Sequence, residues 1–266
     1  MKEITISLTI TIPLERTDIN WVEEVVVRKR EEVFKEVFRE VVKVLEEGVK
    51  RPECECGAGA MVKEGKNARK VVTLVGEVEF ERQRYGCSRC GAQRYPLDEL
   101  LGMEPQKKCT VGVEERALWT AVEVSYEKSE EFLKKFTGLE VSRGLIHTMA
   151  LEEGRRIMKW EEERREEVFG KGEDIDGGGK AQEVFYVQVD GTGINDRENK
   201  EWMECKVGAS FSRRAVVSKN RVKLVDKRSY AAIEGVEAFG EKFFLECVKN
   251  GVLEAKTVFF IGDGAR

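Results

Sequence analysis

Two aspartates in the last third of the chain have the surroundings of metal-binding carboxylates. Asp190 ends the alternating run Tyr186-Val187-Gln188-Val189, and Asp263 ends the apolar run Val258-Phe259-Phe260-Ile261-Gly262. Glycine follows each, so each reads as a buried strand that delivers a carboxylate at its C-terminal end and then turns. Carboxylate oxygens suit the hard cations Mg2+ and Mn2+. Two such ions about 4 Å apart can activate a water or a 3′-hydroxyl and stabilise the leaving oxygen in phosphodiester transfer. Asp-Gly pairs are also ordinary turn formers. The placement of both at strand ends favours the metal.

Softer ligands lie upstream. Cys54-Glu55-Cys56-Gly57 and Cys87-Ser88-Arg89-Cys90-Gly91 are two close cysteine pairs, each followed by glycine, on either side of a strand-like stretch from Lys70 to Tyr85. Zinc takes four thiolates tetrahedrally, and a short spacing puts two of them on one turn. We expect a zinc-ribbon-like module with structural Zn2+ on Cys54, Cys56, Cys87 and Cys90. A hairpin with four free thiols is the alternative. Seven cysteines, an odd number, fit a reducing compartment in which thiols bind metal. Arg69, Lys70, Arg82, Arg84, Arg89 and Arg94 crowd the same region. They either meet phosphates or form a solvated face, and Arg82, Arg84 and Arg89 are the candidate DNA contacts.

The elements that must position these groups follow from the apolar periodicity. Residues 4–12 alternate strictly, with Ile4, Ile6, Leu8, Ile10 and Ile12 on one face, which predicts a half-buried strand. A long amphipathic helix is expected from about Asn20 to Val49. These make a first region, 1–50. The cysteine module occupies 51–105. A helical region, 106–170, holds a helix from Glu114 to Val124, a second from Ser125 stopped by Gly138, and a third capped by Ser142. Helix, glycine turn and capped helix is a helix-turn-helix layout, with Arg143 and Thr148 near its exposed end as candidate DNA contacts. An ordinary three-helix bundle is the alternative, and the sole histidine, His147, reads as a surface or packing residue. The glycine-rich stretch 171–182 is a linker, and Asp174 and Asp176 read as part of it.

The remaining segment, 183–266, is predicted to run strand (Glu183–Val189), strand (Trp202–Phe211), strand (within Ala215–Val225), helix (Gly235–Asn250), strand (Thr257–Ile261). Three strands, a helix and a strand is the ribonuclease H-like order, in which the first and fourth strands are neighbours. The expected fold is therefore α+β and multidomain: a zinc-ribbon-like module and a helix-turn-helix region, then a partial ribonuclease H-like α/β core.

Composition narrows the class. Hydrophobic residues make up 41% of 266, enough for real cores, and the net charge is −4 with 36% charged residues. That balance does not advertise nucleic acid, although basic patches coexist with global acidity. There is no transmembrane run and no basic head followed by an apolar block, so a cytoplasmic protein with no membrane partner is expected.

Several strings resemble one family. Val189-Asp190-Gly191-Thr192-Gly193, Glu204-Cys205-Lys206-Val207-Gly208, Tyr230-Ala231 through Phe239-Gly240-Glu241-Lys242, and Ile261-Gly262-Asp263-Gly264-Ala265 look like DDE transposases of insertion sequences, the ISKra type with the related ISLre type behind it. Upstream, the cysteine pairs, Gly76-Glu77-Val78 with Arg82 and Tyr85, Pro96-Leu97-Asp98 with Leu101-Gly102, and Val141-Ser142 fit the same family. The resemblance implies DNA cleavage and strand transfer at transposon ends, with Asp190 and Asp263 as the first two catalytic acids on Mg2+ or Mn2+, and a homo-oligomer as the working form. The family's third acid, usually Glu on a later helix, has no counterpart here, so the expectation is an incomplete copy. A non-catalytic DNA-binding or repressor fragment of such an enzyme is the competing expectation.

Overall fold

Asp18 starts the first helix: its carboxylate accepts from Trp21 N at 3.0 Å, and α1 then runs Ile19–Glu47 until Gly48 closes it. The computed structural model describes residues 3–13, 15–175, 177, 181–196, 199–219 and 221–262. It divides into two units, 1–153 and 154–266. The division falls inside a helix rather than in the glycine-rich stretch.

In the first unit, β1 (Glu53–Cys54) pairs with β2 (Gly59–Ala60). The long hairpin β3 (Val62–Thr73) and β4 (Gly76–Gly86) continues into β5 (Gln93–Arg94) as a three-stranded antiparallel sheet. Gly76, at φ +98°, makes the tight turn of that hairpin, where Thr73 Oγ1 donates to its carbonyl at 2.9 Å. The C-terminal half of α1 lies on the sheet. Val42, Val71, Val78, Phe80 and Leu97 form one core, with Phe38, Leu45 and Val49 against it. Leu97 belongs to the short helix α2 (Pro96–Leu100).

A second core joins α3 (Val111–Glu123), α4 (Tyr126–Phe132, ending in a wide turn to Thr137) and the start of α5 (Arg143–Arg165). Val113, Ala117, Leu133, Leu139, Val141 and Ile146 are almost wholly buried there. Gly138, at φ +71°, reverses the chain between α4 and α5.

The strand expected over residues 4–12 is a correction. The described residues 3–13 form no strand, and Ile4, Leu8, Ile10 and Ile12 are 37–52% exposed. Alternation favours a strand only where another strand supplies the ladder of hydrogen bonds, and among the described residues no strand pairs with this segment.

The second unit is organised on a four-stranded sheet of order β10-β7-β6-β11. Here β6 spans Gln182–Asp196, β7 Glu201–Phe211, β10 Arg228–Ala232 and β11 Ala255–Ile261. β6–β7 and β7–β10 are antiparallel; β11 is parallel to β6. The crossover is α6 (Val236–Lys249), whose Phe239, Phe243 and Cys247 bury Phe185 and Val187 of β6. Gly208 on β7 is obligatory: a Cβ there would sit 2.6 Å from the Phe243 ring. The later half of α5 joins this unit through Trp160, whose ring faces Lys249 Nζ at 4.6 Å, and Arg165, which donates to Glu241 at 2.7 Å. The third sheet strand is another correction. Ala215–Val225 forms a separate two-stranded hairpin, β8 (Arg213–Ser218) with β9 (Arg221–Val225), and Arg228–Ala232 takes the place in the sheet. Both stretches alternate, so periodicity could not separate a free ribbon from a sheet strand.

Candidate metal centre and aspartate cleft

The four cysteines come together because two tight turns face each other. Cys54-Glu55-Cys56-Gly57 is folded by Gly57 N donating to Cys54 O (3.1 Å), with Gly57 at φ +77°. Cys87-Ser88-Arg89-Cys90-Gly91 is folded by Gly91 N donating to Cys87 O (2.9 Å), with Gly91 at φ +73°. β1–β2 carries the first turn, and β4 leads into the second. All four Sγ atoms lie within 4.8 Å of one another; Cys54–Cys90 is 3.5 Å and Cys56–Cys87 is 3.6 Å. A tetrahedron with ~2.3 Å Zn–S bonds has edges of about 3.8 Å, so the donor set fits Zn2+. The amides of Cys90 and Arg89 draw the Cys87 thiol down to about 6. Cys54 feels the Cys56 amide in the same sense, yet thiol contacts with Cys56, Cys87 and Cys90 push it up to about 12. The Cys87 thiolate forms readily, whereas Cys54 and Cys56 resist ionisation until a divalent cation neutralises them. Met61, Tyr85 and Cys87 are buried beneath the site. These four cysteines could hold a metal ion such as zinc.

The arginines expected to meet DNA fall into different environments. Arg82 is turned inward. Its Nη1 pairs with Asp98 Oδ2, and its guanidinium lies 3.9 Å from the Tyr95 ring centroid. Arg69 Nη1 donates to the same Asp98 oxygen at 2.6 Å, and Arg69 Nη2 donates to the Glu104 and Lys107 carbonyls. Burial lowers both guanidinium pKa values, and at Arg82 the charge of Arg69 adds to the effect. Sequence reasoning missed this triad, since Asp98 stands beside Glu99 in the short helix α2 and nothing local marks it as the buried partner of two arginines. Arg82 therefore ties β4 to α2 and is withdrawn from solvent. Arg84 is half-buried beside Glu64, at 3.3 Å. Arg89 is exposed, with its Nη1 donating to Cys56 O at 3.3 Å.

Arg143 and Thr148 are exposed on the first turns of α5. Ser142 Oγ accepts from Leu145 N (3.4 Å), Arg143 N donates to Glu130 (3.1 Å), and Thr148 Oγ1 donates to Gly144 O (3.0 Å). His147 is exposed and lies edge-on to Tyr126 at 5.2 Å.

Asp190 lies within β6 opposite Val207 of β7, a correction to the strand end and glycine turn expected there: the ladder continues through Gly191↔Lys206 to Asp196↔Glu201, because glycine is compatible with extended backbone when a partner strand supplies the hydrogen bonds. Alternation puts Phe185 and Val187 under α6 and puts Asp190 on the other face of the sheet. There it lines a cavity of about 280 Å3 with Gln188, Gly191, Thr192, Val207 and Ala209. Its Oδ1 accepts from Gly191 N at 2.8 Å, and the side chain is exposed. The aromatic side chains Tyr186, Phe211 and Phe259 stack on this face, with centroids 5.0 and 5.7 Å from Tyr186. Asp263 and Asp176 lie outside the described residues.

A further polar cluster escaped the sequence reading. Lys242 pairs with Glu162 (3.1 Å) and Glu234 (2.8 Å), and Tyr230 Oη donates to Glu234 (3.1 Å). No helix among the described residues is long and apolar enough to cross a membrane.

Curated relatives come from Caldanaerobacter subterraneus subsp. tengcongensis. UPF0236 protein TTE2489 is 27% identical over 139 residues, 52% of this chain and 28% of that protein. A UPF0236 protein whose name carries eleven locus designations is 26% identical over 137 residues, 52% of this chain and 27% of its own length. UPF0236 protein TTE0402 is 27% identical over 134 residues, 50% and 25% respectively. The matches thus span about a quarter of these relatives. A family model matches residues 15–266, nearly the whole chain: the protein belongs to the uncharacterised protein family UPF0236.

Proposed function

We propose that this chain is a DNA transposase of an insertion sequence, working by metal-dependent cleavage and strand transfer at transposon ends. The observation that carries the reading is the second unit's topology. Three antiparallel strands, a helix, and a fourth strand returning parallel to the first match the ribonuclease H-like order. The last pairs in that parallel register include Ile261 with Gln188. Asp263 follows Ile261 by two residues, and Asp190 follows Gln188 by two. The same chain step therefore separates each aspartate from one paired position, which is what a shared metal site between neighbouring strands requires.

Asp190 presents its carboxylate to an open cavity. Mg2+ or Mn2+ held by Asp190 and Asp263 would supply Lewis-acid stabilisation of the phosphodiester oxygens. Gly191 N orients Asp190 by holding Oδ1, and the small Ala209 leaves room for a backbone to approach. The glycine turn and Ser142-capped start of α5 support a helix-turn-helix role, with Arg143 and Thr148 at its exposed end. The cysteine centre would fix the neighbouring ribbon. Eleven locus designations under one relative's name fit a gene that multiplies within a genome.

The test is nicking of supercoiled plasmid carrying the element's ends. Mn2+-dependent nicking that falls at least about 100-fold in Asp190→Asn, with the fold retained, is the expected result. Metal-independent binding without nicking would instead favour a DNA-binding repressor, and equal nicking by both proteins would remove Asp190 from the chemistry.

A further inference from the structure

The β8–β9 hairpin interrupts the four-stranded sheet between β7 and β10, and its charge sets it apart. Between Arg213 and Val225 stand five cationic side chains, Arg213, Arg214, Lys219, Arg221 and Lys223, and no carboxylate. In a chain of net charge −4, that leaves −9 for everything else. All five are exposed. Among the described residues none of them forms an ion pair, whereas on α1 Arg28, Lys29, Arg39 and Lys43 each face a glutamate one turn away. Five exposed cations with no carboxylate among them sum to a local positive field that attracts a polyanion even on a globally acidic chain.

The hairpin is also presented firmly. At its base Ser212 N donates to Val225 O (3.1 Å). Ser212 Oγ donates to Asp226 (2.8 Å), so the nearest carboxylate is spent on the hinge. Asn250, just past α6, donates to the Asp226 carbonyl (2.8 Å) and to Ser210 Oγ (2.9 Å). Register pairs Arg213 with Val225 and Ala215 with Lys223. Side chains alternate along each strand, so Arg213, Arg221 and Lys223 share one face. The other face carries Arg214 with the exposed Val216 and Val222. A two-stranded ribbon is narrow enough to enter the major groove of a DNA duplex.

We infer that the β8–β9 hairpin is a duplex-DNA-binding arm that grips the phosphate backbone through Arg213, Arg221 and Lys223. The inference rests on DNA being the partner, as in the function proposed above, and adds where the duplex is held. Phe211, at the arm's root, pairs with Tyr186, four residues before Asp190. At ~3.4 Å per strand residue, the root is roughly 14 Å from the aspartate, about four base pairs of duplex. The arm thus anchors DNA close to the cleft without belonging to it.

The experiment measures binding of the whole chain to a 30-base-pair duplex across a salt series. The triple variant Arg213→Ala, Arg221→Ala, Lys223→Ala should bind about tenfold or more weakly, and its slope of log K against log salt should fall by about 3. Replacing Arg213 and Arg221 with Lys should restore most of the binding. The control Arg28→Ala, Arg39→Ala, Lys43→Ala, which removes as many charges from α1, should change little. Wild-type affinity and slope in the hairpin variant would overturn the arm, even if nicking still depends on Asp190. Weakened binding by that variant, with nicking absent or indifferent to Asp190→Asn, would sustain the arm and defeat the catalytic reading. No duplex binding by the wild type even at low salt would overturn the arm.

Discussion

The cysteine centre and the aspartate cleft are built in opposite ways. The first is local: each pair of thiols sits on one turn of four or five residues, closed by a left-handed glycine and a short backbone hydrogen bond. The hairpin β3–β4 then needs only to return the chain to its start. The second is topological. Asp190 is carried by a strand whose parallel neighbour arrives some 70 residues later, after two antiparallel strands, a free hairpin and a helix. A soft-metal site made of turns is nearly independent of the rest of the fold. A carboxylate on a sheet inherits its environment from every element of that sheet.

The contrast predicts separable failures. The largest effect should come from the thiols. Stripping metal with a strong chelator, or Cys56→Ser, should unfold the module around Met61 and Tyr85 and leave α6 on its sheet. One zinc per chain by elemental analysis, lost in the variant, checks it; four thiols that titrate freely with no change in circular dichroism would break it. Next is Asp98→Ala, which leaves Arg69 and Arg82 buried without a counter-charge and should cost about 3–5 kcal/mol in denaturant unfolding of the first unit. Gly208→Val drives a side chain into the Phe243 ring and should cost about 1–3 kcal/mol or more in the second unit while zinc content stays unchanged. A variant that lost zinc as well would show that the two regions are coupled.

The smallest effect concerns pH. Arg165 first, and Lys242 second, hold the Glu162 carboxyl at about 2, below its ordinary 4.5. A depressed carboxylate stabilises the fold above its unfolded pKa, and that contribution disappears as pH falls through 4.5 toward 2. The Tm difference between wild type and Glu162→Gln should therefore be constant above pH 5 and shrink below it. Because the Glu162 side chain is itself half exposed, solvent screens both pairs and the difference should be small.

The two regions also differed in how far the sequence revealed them. The four cysteines were legible because their spacing is itself the geometry. β7, α6 and β11 were legible from apolar periodicity, as was β6 up to Val189; its continuation through Gly191 and Gly193 to Asp196 was not. Residues 4–12 and 215–225 misled for one reason: alternation reports a residue's two faces, not which strand, if any, it pairs with. Arg82 misled because a cation in a basic stretch gives no sign of being aimed at a buried acid 16 positions away. The cluster around Lys242 joins α5, α6 and the end of β10, contacts that no local pattern encodes.

The function proposed above requires a second, hard-metal site at Asp190, distinct from the thiols. Mn2+ titration followed by electron paramagnetic resonance, on zinc-loaded protein, tests it most directly. One Mn2+ site that vanishes in Asp190→Asn and persists in Arg82→Ala is the expected result. Indistinguishable isotherms for the wild type and Asp190→Asn would contradict it.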